Sequence, residues 1–200
     1  MIKNIIFDVG EVLLGYRWHY ILELSGLAPE DGVRVFKEIF ESKIWRDLDA
    51  GDVMLTDAKE LFREKYPEEG ENIEFFLSHP ELMPIARPEV WEQLPKLKDK
   101  GYKLYVLSNY GKELFEMHTA GSGFLQYMDG GVISYEVHVC KPDAAIYKAL
   151  LDKYSLNPEE CVFYDDKAEN IDGAAACGIK GVRIQSEDML LSELEKLLGL

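Results

Sequence analysis

Carboxylate, hydroxyl, amide and ammonium side chains stand at four widely separated places in this sequence. They are Asp8, Ser108 with Asn109, Lys141, and Asp165 with Asp166. Together they offer a carboxylate nucleophile, two hydrogen-bonding groups, a cation for anionic oxygens and a pair of acids. Crowded carboxylates repel one another unless a cation joins them, and oxygen ligands with positions left for water and phosphate suit Mg²⁺. The residue types therefore predict a metal-assisted displacement at phosphorus, with Asp8 as a candidate nucleophile.

The elements that would position these residues alternate between strands and helices. Short apolar runs at residues 3–7, 102–107 and 161–164 are typical of buried strands, with weaker strand patterns at 132–134 and 181–184. Helical patterns cover residues 88–100, 112–118, 142–153, 169–177 and 189–198. The alternation predicts an α/β fold, a Rossmann-like parallel sheet with helices on both faces. Ligands bind at the carboxyl ends of such strands, so Asp8, Ser108 and Asp165 should lie side by side.

One region breaks this alternation. Only helical patterns occur from about residue 15 to residue 87, at 18–25, 29–42, 56–65 and 71–78. We interpret this insertion as a helical cap (15–87) over a core formed by residues 1–14 and 88–200. Residues 16–20 either line the substrate entrance or pack inside the cap, and Trp45 with the turn at 49–51 is a candidate for a loop that reaches the site.

The composition of the chain disfavours several classes of binding partner. The chain has 37 acidic and 22 basic side chains and a formal charge of −15, which disfavours binding to nucleic acid and to anionic membrane surfaces. Its three cysteines are far apart and form no metal or disulfide pattern, and no apolar run is long enough to span a membrane. We expect a cytoplasmic protein acting on a small molecule, with its oligomeric state left open.

Four motifs occur in order, at residues 7–13 (FDVGEVL), 106–109 (VLSN), 141–142 (KP) and 162–170 (VFYDDKAEN). Together with the cap inserted after the first, they resemble the haloacid dehalogenase-like hydrolase superfamily. The resemblance implies that Asp8 forms an aspartyl-phosphate, that Ser108 and Asn109 bind the phosphoryl group, and that Lys141 neutralises its oxygens and orients Asp8. It also implies that Mg²⁺ is held by Asp8, the carbonyl of Gly10 and Asp166, with Asp165 beside them as a direct ligand or one shell away.

Further motifs are similar to those of one group within this superfamily. Residues 87–90 (RPEV), 141–147 (KPDAAIY) and 165–174 are similar to the sugar-phosphatase group that includes alpha-D-glucose-1-phosphate phosphatase. This similarity implies a small phosphorylated metabolite as substrate, in particular a sugar phosphate.

Gly10 is a departure from the pattern of most phosphatases in the superfamily. They carry an aspartate there that protonates the leaving group and then activates water, although the sugar-phosphatase group also lacks it. General acid–base catalysis of this kind typically raises the reaction rate by about 10²- to 10⁴-fold. Its absence predicts a preference for good leaving groups, which Gly10→Asp should reduce if the side chain fits. Glu11 is either a displaced acid or a solvated loop residue.

Two other functions compete with a phosphatase. In a metal-free 2-haloacid dehalogenase the same carboxylate attacks carbon, and the position of Gly10 is not acidic there either, but the Asp165–Asp166 pair would disfavour the ionised nucleophile. A non-catalytic binding protein on the same scaffold is favoured only by Gly10. Retention of the costly charged cluster opposes it.

Overall fold

Five parallel strands form the central sheet of the computed structural model, which describes residues 1–200. Two further strands form a short antiparallel ribbon. In chain order the strands are β1 (Asn4–Phe7), β2 (Leu14–Tyr16), β3 (Pro84–Ala86), β4 (Lys103–Ser108), β5 (Gly130–Ile133), β6 (Cys161–Asp165) and β7 (Lys180–Arg183). The apolar runs that predicted β1, β4 and β6 are almost entirely buried, as expected for central parallel strands covered on both faces.

The sheet order β5-β4-β1-β6-β7 places the first strand in the middle. From β1 the chain moves outward to β4 and β5 and then crosses to β6 and β7 on the other side. Phe7 pairs with Val106 of β4 and with Tyr164 of β6, so the residues that follow these strands meet at one edge. A ligand crevice is expected at this edge, beside β1, where the strand order reverses.

The chain has twelve α-helices. They are α1 (Trp18–Leu24), α2 (Pro29–Phe40), α3 (Lys43–Asp49), α4 (Leu55–Lys65), α5 (Gly70–Ser78), α6 (Pro88–Trp91), α7 (Gln93–Asp99), α8 (Lys112–Thr119), α9 (Ser134–Val137), α10 (Ala144–Tyr154), α11 (Ala168–Ala176) and α12 (Glu187–Leu198). None of them combines the length and the apolar character that crossing a bilayer would require.

Alternating side chains of the strands face two separate apolar clusters. Ile5 and Phe7 belong to the cluster that includes residues of α7 and α12, whereas Ile6 belongs to the cluster that includes residues of α10. Helices therefore cover both faces, which confirms the predicted α/β fold.

The helix predicted over residues 88–100 is divided into α6 and α7. Pro95 has no backbone N–H to donate to the carbonyl of Trp91, and its ring crowds that carbonyl. The break at Glu92 falls at this point, and both halves still bury their leucine and valine side chains against the sheet.

Helices α1 to α5 fill the insertion between β2 and β3. The expectation of helices alone was incomplete, because β2 and β3 pair as a two-stranded ribbon through which the chain enters and leaves the insertion. Helix α3 was also not expected. Buried cap residues such as Ile21 and Phe62 belong to the same apolar cluster as Ile5, and the exact division at 14/15 and 87/88 stays a prediction.

Candidate active site

The residues singled out from the sequence lie together at the carboxyl edge of the sheet. Asp8 follows β1, and its N–H donates to the carbonyl of Tyr164 at 2.9 Å. Ser108 and Asp165 end the two neighbouring strands, β4 and β6. Lys141 precedes α10 and brings its ammonium group to the same edge.

The two oxygens of Asp8 have different environments. Oδ1 accepts hydrogen bonds from the Ser108 hydroxyl at 2.6 Å and from the backbone N–H of Val9 at 2.7 Å, and it lies 3.0 Å from Lys141 Nζ. Oδ2 makes no hydrogen bond, and Asp8 lines the cavity at this edge. A carboxylate with one oxygen fixed and the other free is well oriented to attack an electrophile.

Lys141 is the buried cation of the site. Its side chain is 1% exposed, and its ammonium group donates to Asp165 Oδ2 at 2.6 Å and to the carbonyl of Leu107 at 2.9 Å, besides its contact with Asp8. A lysine has three donors, so this arrangement uses all of them. Burial alone would lower the pKa of Lys141, but Asp8 and Asp165 hold it above its usual value.

Asp165 is fully engaged within the protein. Besides Lys141, it accepts hydrogen bonds from the N–H of Lys167 at 2.8 Å and from Asn170 Nδ2, which lies 3.0 Å from both oxygens. Burial would raise the pKa of Asp165, but Lys141 and these hydrogen bonds keep it below its usual value. Its contacts suit a residue that fixes Lys141 and the loop at Asn170.

Asn109 holds the backbone of Lys141. Its Nδ2 donates to the Lys141 carbonyl at 2.9 Å, and its Oδ1 accepts from the Lys141 N–H at 2.7 Å. One N–H of the amide is left for a ligand, so the phosphoryl-binding role expected of Asn109 stays a prediction.

Three carboxylates at this edge fit a divalent cation. Oxygens of Asp8, Asp165 and Asp166 lie within 4.8 Å of one another, and hard oxygen donors are the ligands that Mg²⁺ prefers. Burial, opposed by Lys141 and reinforced by Asp165 and Asp166, raises the pKa of Asp8 to about 7. Burial and then Asp165 also raise the pKa of Asp166. One ammonium cannot balance three carboxylates, and the residual formal charge of −2 matches Mg²⁺.

A cavity of about 330 Å³ opens above Asp8. Its floor is polar and includes Ser108, Lys141 and Asp166, whereas its upper wall is largely apolar. The apolar and aromatic lining residues are Tyr16, Trp18, Phe36, Phe40, Trp45, Met83, Tyr110 and Leu114. Four of the rings form a continuous row, because Trp18 contacts Phe36, Phe36 contacts Phe40 and Phe40 contacts Trp45.

Asp49 brings a carboxylate from the cap to the cavity. Burial, opposed by Lys167, raises its pKa to about 7. The turn after it is close-packed, because a Cβ on Gly51 would lie 3.0 Å from the backbone of Tyr135. This is the turn at 49–51 that the sequence offered as a cap loop reaching the site.

Glu11 is neither a free acid nor a freely solvated residue. Its Oε2 lies 3.0 Å from Arg87 Nη2, and Arg87 Nη1 donates to its backbone carbonyl at 2.6 Å. Its Oε1 also accepts from the N–H of Tyr16 at 3.2 Å. These contacts connect the loop after β1 to the end of the cap.

A hydrogen-bonded row of Tyr16, Tyr110 and His118 beside the cavity was missed by sequence reasoning. The hydroxyls of Tyr16 and Tyr110 are in contact, and Tyr110 Oη lies 2.7 Å from His118 Nδ1. The three residues come from β2, the loop after β4 and α8. No spacing rule links them, so the sequence carried no signal that they meet.

The family model described as "Hydrolase: haloacid dehalogenase-like hydrolase" matches residues 2–178. A sesquiterpene phosphatase from Aspergillus oryzae is 28% identical and aligns over 98% of this chain and 97% of its own. (S)-2-haloacid dehalogenase 4A from Burkholderia cepacia is 31% identical over 51% of this chain and 44% of its own. The chain spans less than half the length of several curated relatives that it matches.

The fold is also similar to solved structures. A HAD family enzyme from Bacteroides thetaiotaomicron, crystallised with magnesium and inorganic phosphate, superimposes with a TM-score of 0.75 at 22% identity. The alignment covers 94% of this chain and 96% of that one.

Proposed function

The chain belongs to the haloacid dehalogenase-like hydrolase family, and from that premise we propose that it is a Mg²⁺-dependent phosphatase. It would hydrolyse a small phosphorylated metabolite through an aspartyl-phosphate on Asp8. The observation that carries this proposal is the charge of the site, where the carboxylates of Asp8, Asp165 and Asp166 lie within 4.8 Å of one another and the buried Lys141 contacts two of them, so the four residues have a formal charge of −2. An enzyme is expected of this family, which disfavours the non-catalytic alternative.

Each residue has a separate task in the proposed reaction. Ser108 and Lys141 orient the carboxylate of Asp8, so that one of its oxygens attacks phosphorus as the ester oxygen leaves with its electron pair. Asp8, Asp166 and the carbonyl of Gly10 would hold Mg²⁺, while Asp165 fixes Lys141. When bound, the ion supplies charge neutralisation for the phosphoryl oxygens.

A dehalogenase is the second candidate, and it is favoured by the relative of that name. It would use Asp8 on carbon and need no cation. The acid cluster opposes it, because metal-free Asp8 has a pKa of about 7 and is only half ionised at neutral pH. The sesquiterpene phosphatase, which aligns over nearly its whole length, supports the phosphatase.

The lining of the cavity bears on the organic part of the substrate. Seven lining residues come from the cap region, and Asp49 is the one among them with a charged side chain. A sugar, the substrate expected from the sequence, needs several polar partners for its hydroxyls, whereas the row of rings from Trp18 to Trp45 suits an apolar group. The relative that acts on a sesquiterpene points the same way. We therefore place phosphate esters of apolar alcohols ahead of sugar phosphates.

The test of the reaction uses the purified full chain and p-nitrophenyl phosphate, with Mg²⁺ or with excess chelator. Asp8→Asn should abolish turnover and labelling of the protein by radioactive phosphate. Asp172→Asn is the matched control, because Asp172 is an exposed carboxylate on α11, and it should change neither. Full activity in chelator, or chloride release from 2-chloropropionate in place of phosphate release, would contradict the phosphatase.

The test of the substrate compares kcat/KM for an isoprenyl monophosphate and glucose 1-phosphate. We expect the apolar ester to be preferred, and Trp18→Ala to reduce that preference about tenfold by removing apolar contact area. Hydrolysis of methyl phosphate, which is too small to reach the rings, provides the reference rate. An unchanged ratio in Trp18→Ala would mean that this wall serves packing alone.

A further inference from the structure

The space beside Gly10 is filled by Tyr16. A Cβ added to Gly10 would lie 2.7 Å from Tyr16 Cε2 and 3.0 Å from the phenol oxygen. Both residues line the cavity that contains Asp8. The phenol oxygen therefore lies where a side chain at position 10 would enter the site.

The hydrogen bonds of Tyr16 have a fixed direction. His118 Nε2 lies 2.8 Å from the carbonyl of Pro80, which can only accept, so Nε2 carries the proton. His118 is buried and burial lowers its pKa to about 4, so Nδ1 is unprotonated at neutral pH and accepts from Tyr110. The oxygen of Tyr110 must then accept from Tyr16. The hydroxyl proton of Tyr16 is therefore used by Tyr110, and the lone pairs of Tyr16 remain for a donor inside the cavity.

The other acceptors that line the cavity have other partners or roles. Asp8 Oδ1 already accepts from Ser108 and Val9, Glu11 is paired with Arg87, and Asp166 would hold Mg²⁺. Burial, followed by Tyr110 and then Asp8, keeps the pKa of Tyr16 above its usual value, so the phenol stays neutral. Asp49 is the other acceptor on the cap side.

We propose that Tyr16 accepts a hydrogen bond from the water that hydrolyses the aspartyl-phosphate, and that Tyr110 and His118 position it for this task. The inference rests on the proposed function. In the step, the water oxygen bonds to phosphorus, the bond from phosphorus to Asp8 breaks, and its electron pair returns to the carboxylate. Both water protons leave on dihydrogen phosphate, so an oriented neutral acceptor suffices. Tyr16 does not protonate the departing alcohol.

Tyr16→Phe tests the proposal because it keeps the ring and removes the oxygen. Rapid mixing with a labelled phosphate ester gives two rates, the first-turnover release of alcohol and the decay of labelled Asp8. We expect decay to slow about tenfold, as for a lost hydrogen bond of roughly 1.4 kcal/mol, with release unchanged. In steady state kcat and KM then fall together while kcat/KM is preserved. Tyr110→Phe should slow decay in the same way.

The matched control is Tyr20→Phe, which removes the same atom from an exposed cap residue that does not line the cavity, and it should leave both rates unchanged. Slower alcohol release in Tyr16→Phe, greatest for poor leaving groups, would show that Tyr16 is an acid and overturn the proposed direction. Unchanged decay would show that Tyr16 only packs, and a slower decay in Asp49→Asn alone would assign the water to Asp49. Absence of any labelled Asp8 in the wild type would instead refute the proposed function itself.

Discussion

Lowering the pH from 8 to 6 should weaken Mg²⁺ binding about tenfold. Burial, opposed by Lys141 and reinforced by Asp165 and Asp166, raises the pKa of Asp8 to about 7 in the metal-free protein. The ionised fraction of such a group falls from about 0.9 at pH 8 to about 0.1 at pH 6. A proton and the cation compete for the same carboxylate, so the affinity must fall as the pH falls through about 7. The raised pKa of Asp166 acts in the same direction.

Calorimetric titration of the full chain with Mg²⁺ measures this linkage directly. Titration in two buffers of different ionisation heat should show release of about half a proton per ion from Asp8 at pH 7. Asp172→Asn should keep the full pH dependence, whereas Asp8→Asn should bind more weakly and lose its contribution to the slope. An affinity that is constant between pH 6 and 8, or an unchanged slope in Asp8→Asn, would refute the assignment of the raised pKa to this carboxylate.

Three further predictions follow from buried contacts. Lys141→Met should abolish turnover and destabilise the metal-free protein by about 3–5 kcal/mol in urea unfolding, because Asp8 and Asp165 lose their cation. Gly10→Asp should cost about 1–3 kcal/mol by the same measurement and restore no acid catalysis, since its Cβ would meet Tyr16 at 2.7 Å. The stability contributed by neutral His118 is present above about pH 6.5 and lost as the pH falls toward 4, because burial lowers its pKa to about 4. Between pH 7 and 5 the wild type should therefore lose about 2 kcal/mol more than His118→Gln.

The positions of Asp8, Ser108 and Asp165 could be predicted because each ends a short apolar strand. In a parallel sheet the carboxyl ends of neighbouring strands share an edge, so local patterns were sufficient to bring together residues more than 150 positions apart.

Elements without a strong local pattern could not be predicted in the same way. The ribbon of β2 and β3 consists of two three-residue strands, and its hydrogen bonds join residues about 70 positions apart. Helix α3 follows α2 after only two residues, so the helical pattern gave no signal that the chain turns there. Ser42 caps it through its hydroxyl, which accepts from the N–H of Trp45.

Position 10 shows most directly which part of the site could not be predicted from the sequence. The sequence shows that an acid is missing there, and it offers Glu11 as the nearest substitute, but Glu11 is held by Arg87. The group that fills the space is Tyr16, which is six positions further along and is oriented by Tyr110 and His118 from distant elements. The direction of a hydrogen bond between two hydroxyls can be assigned only when the further partners of both are known. Here the carbonyl of Pro80, at the end of the row, fixes which nitrogen of His118 carries the proton. The tertiary structure therefore decides that Tyr16 donates to Tyr110 and can accept from a group in the cavity.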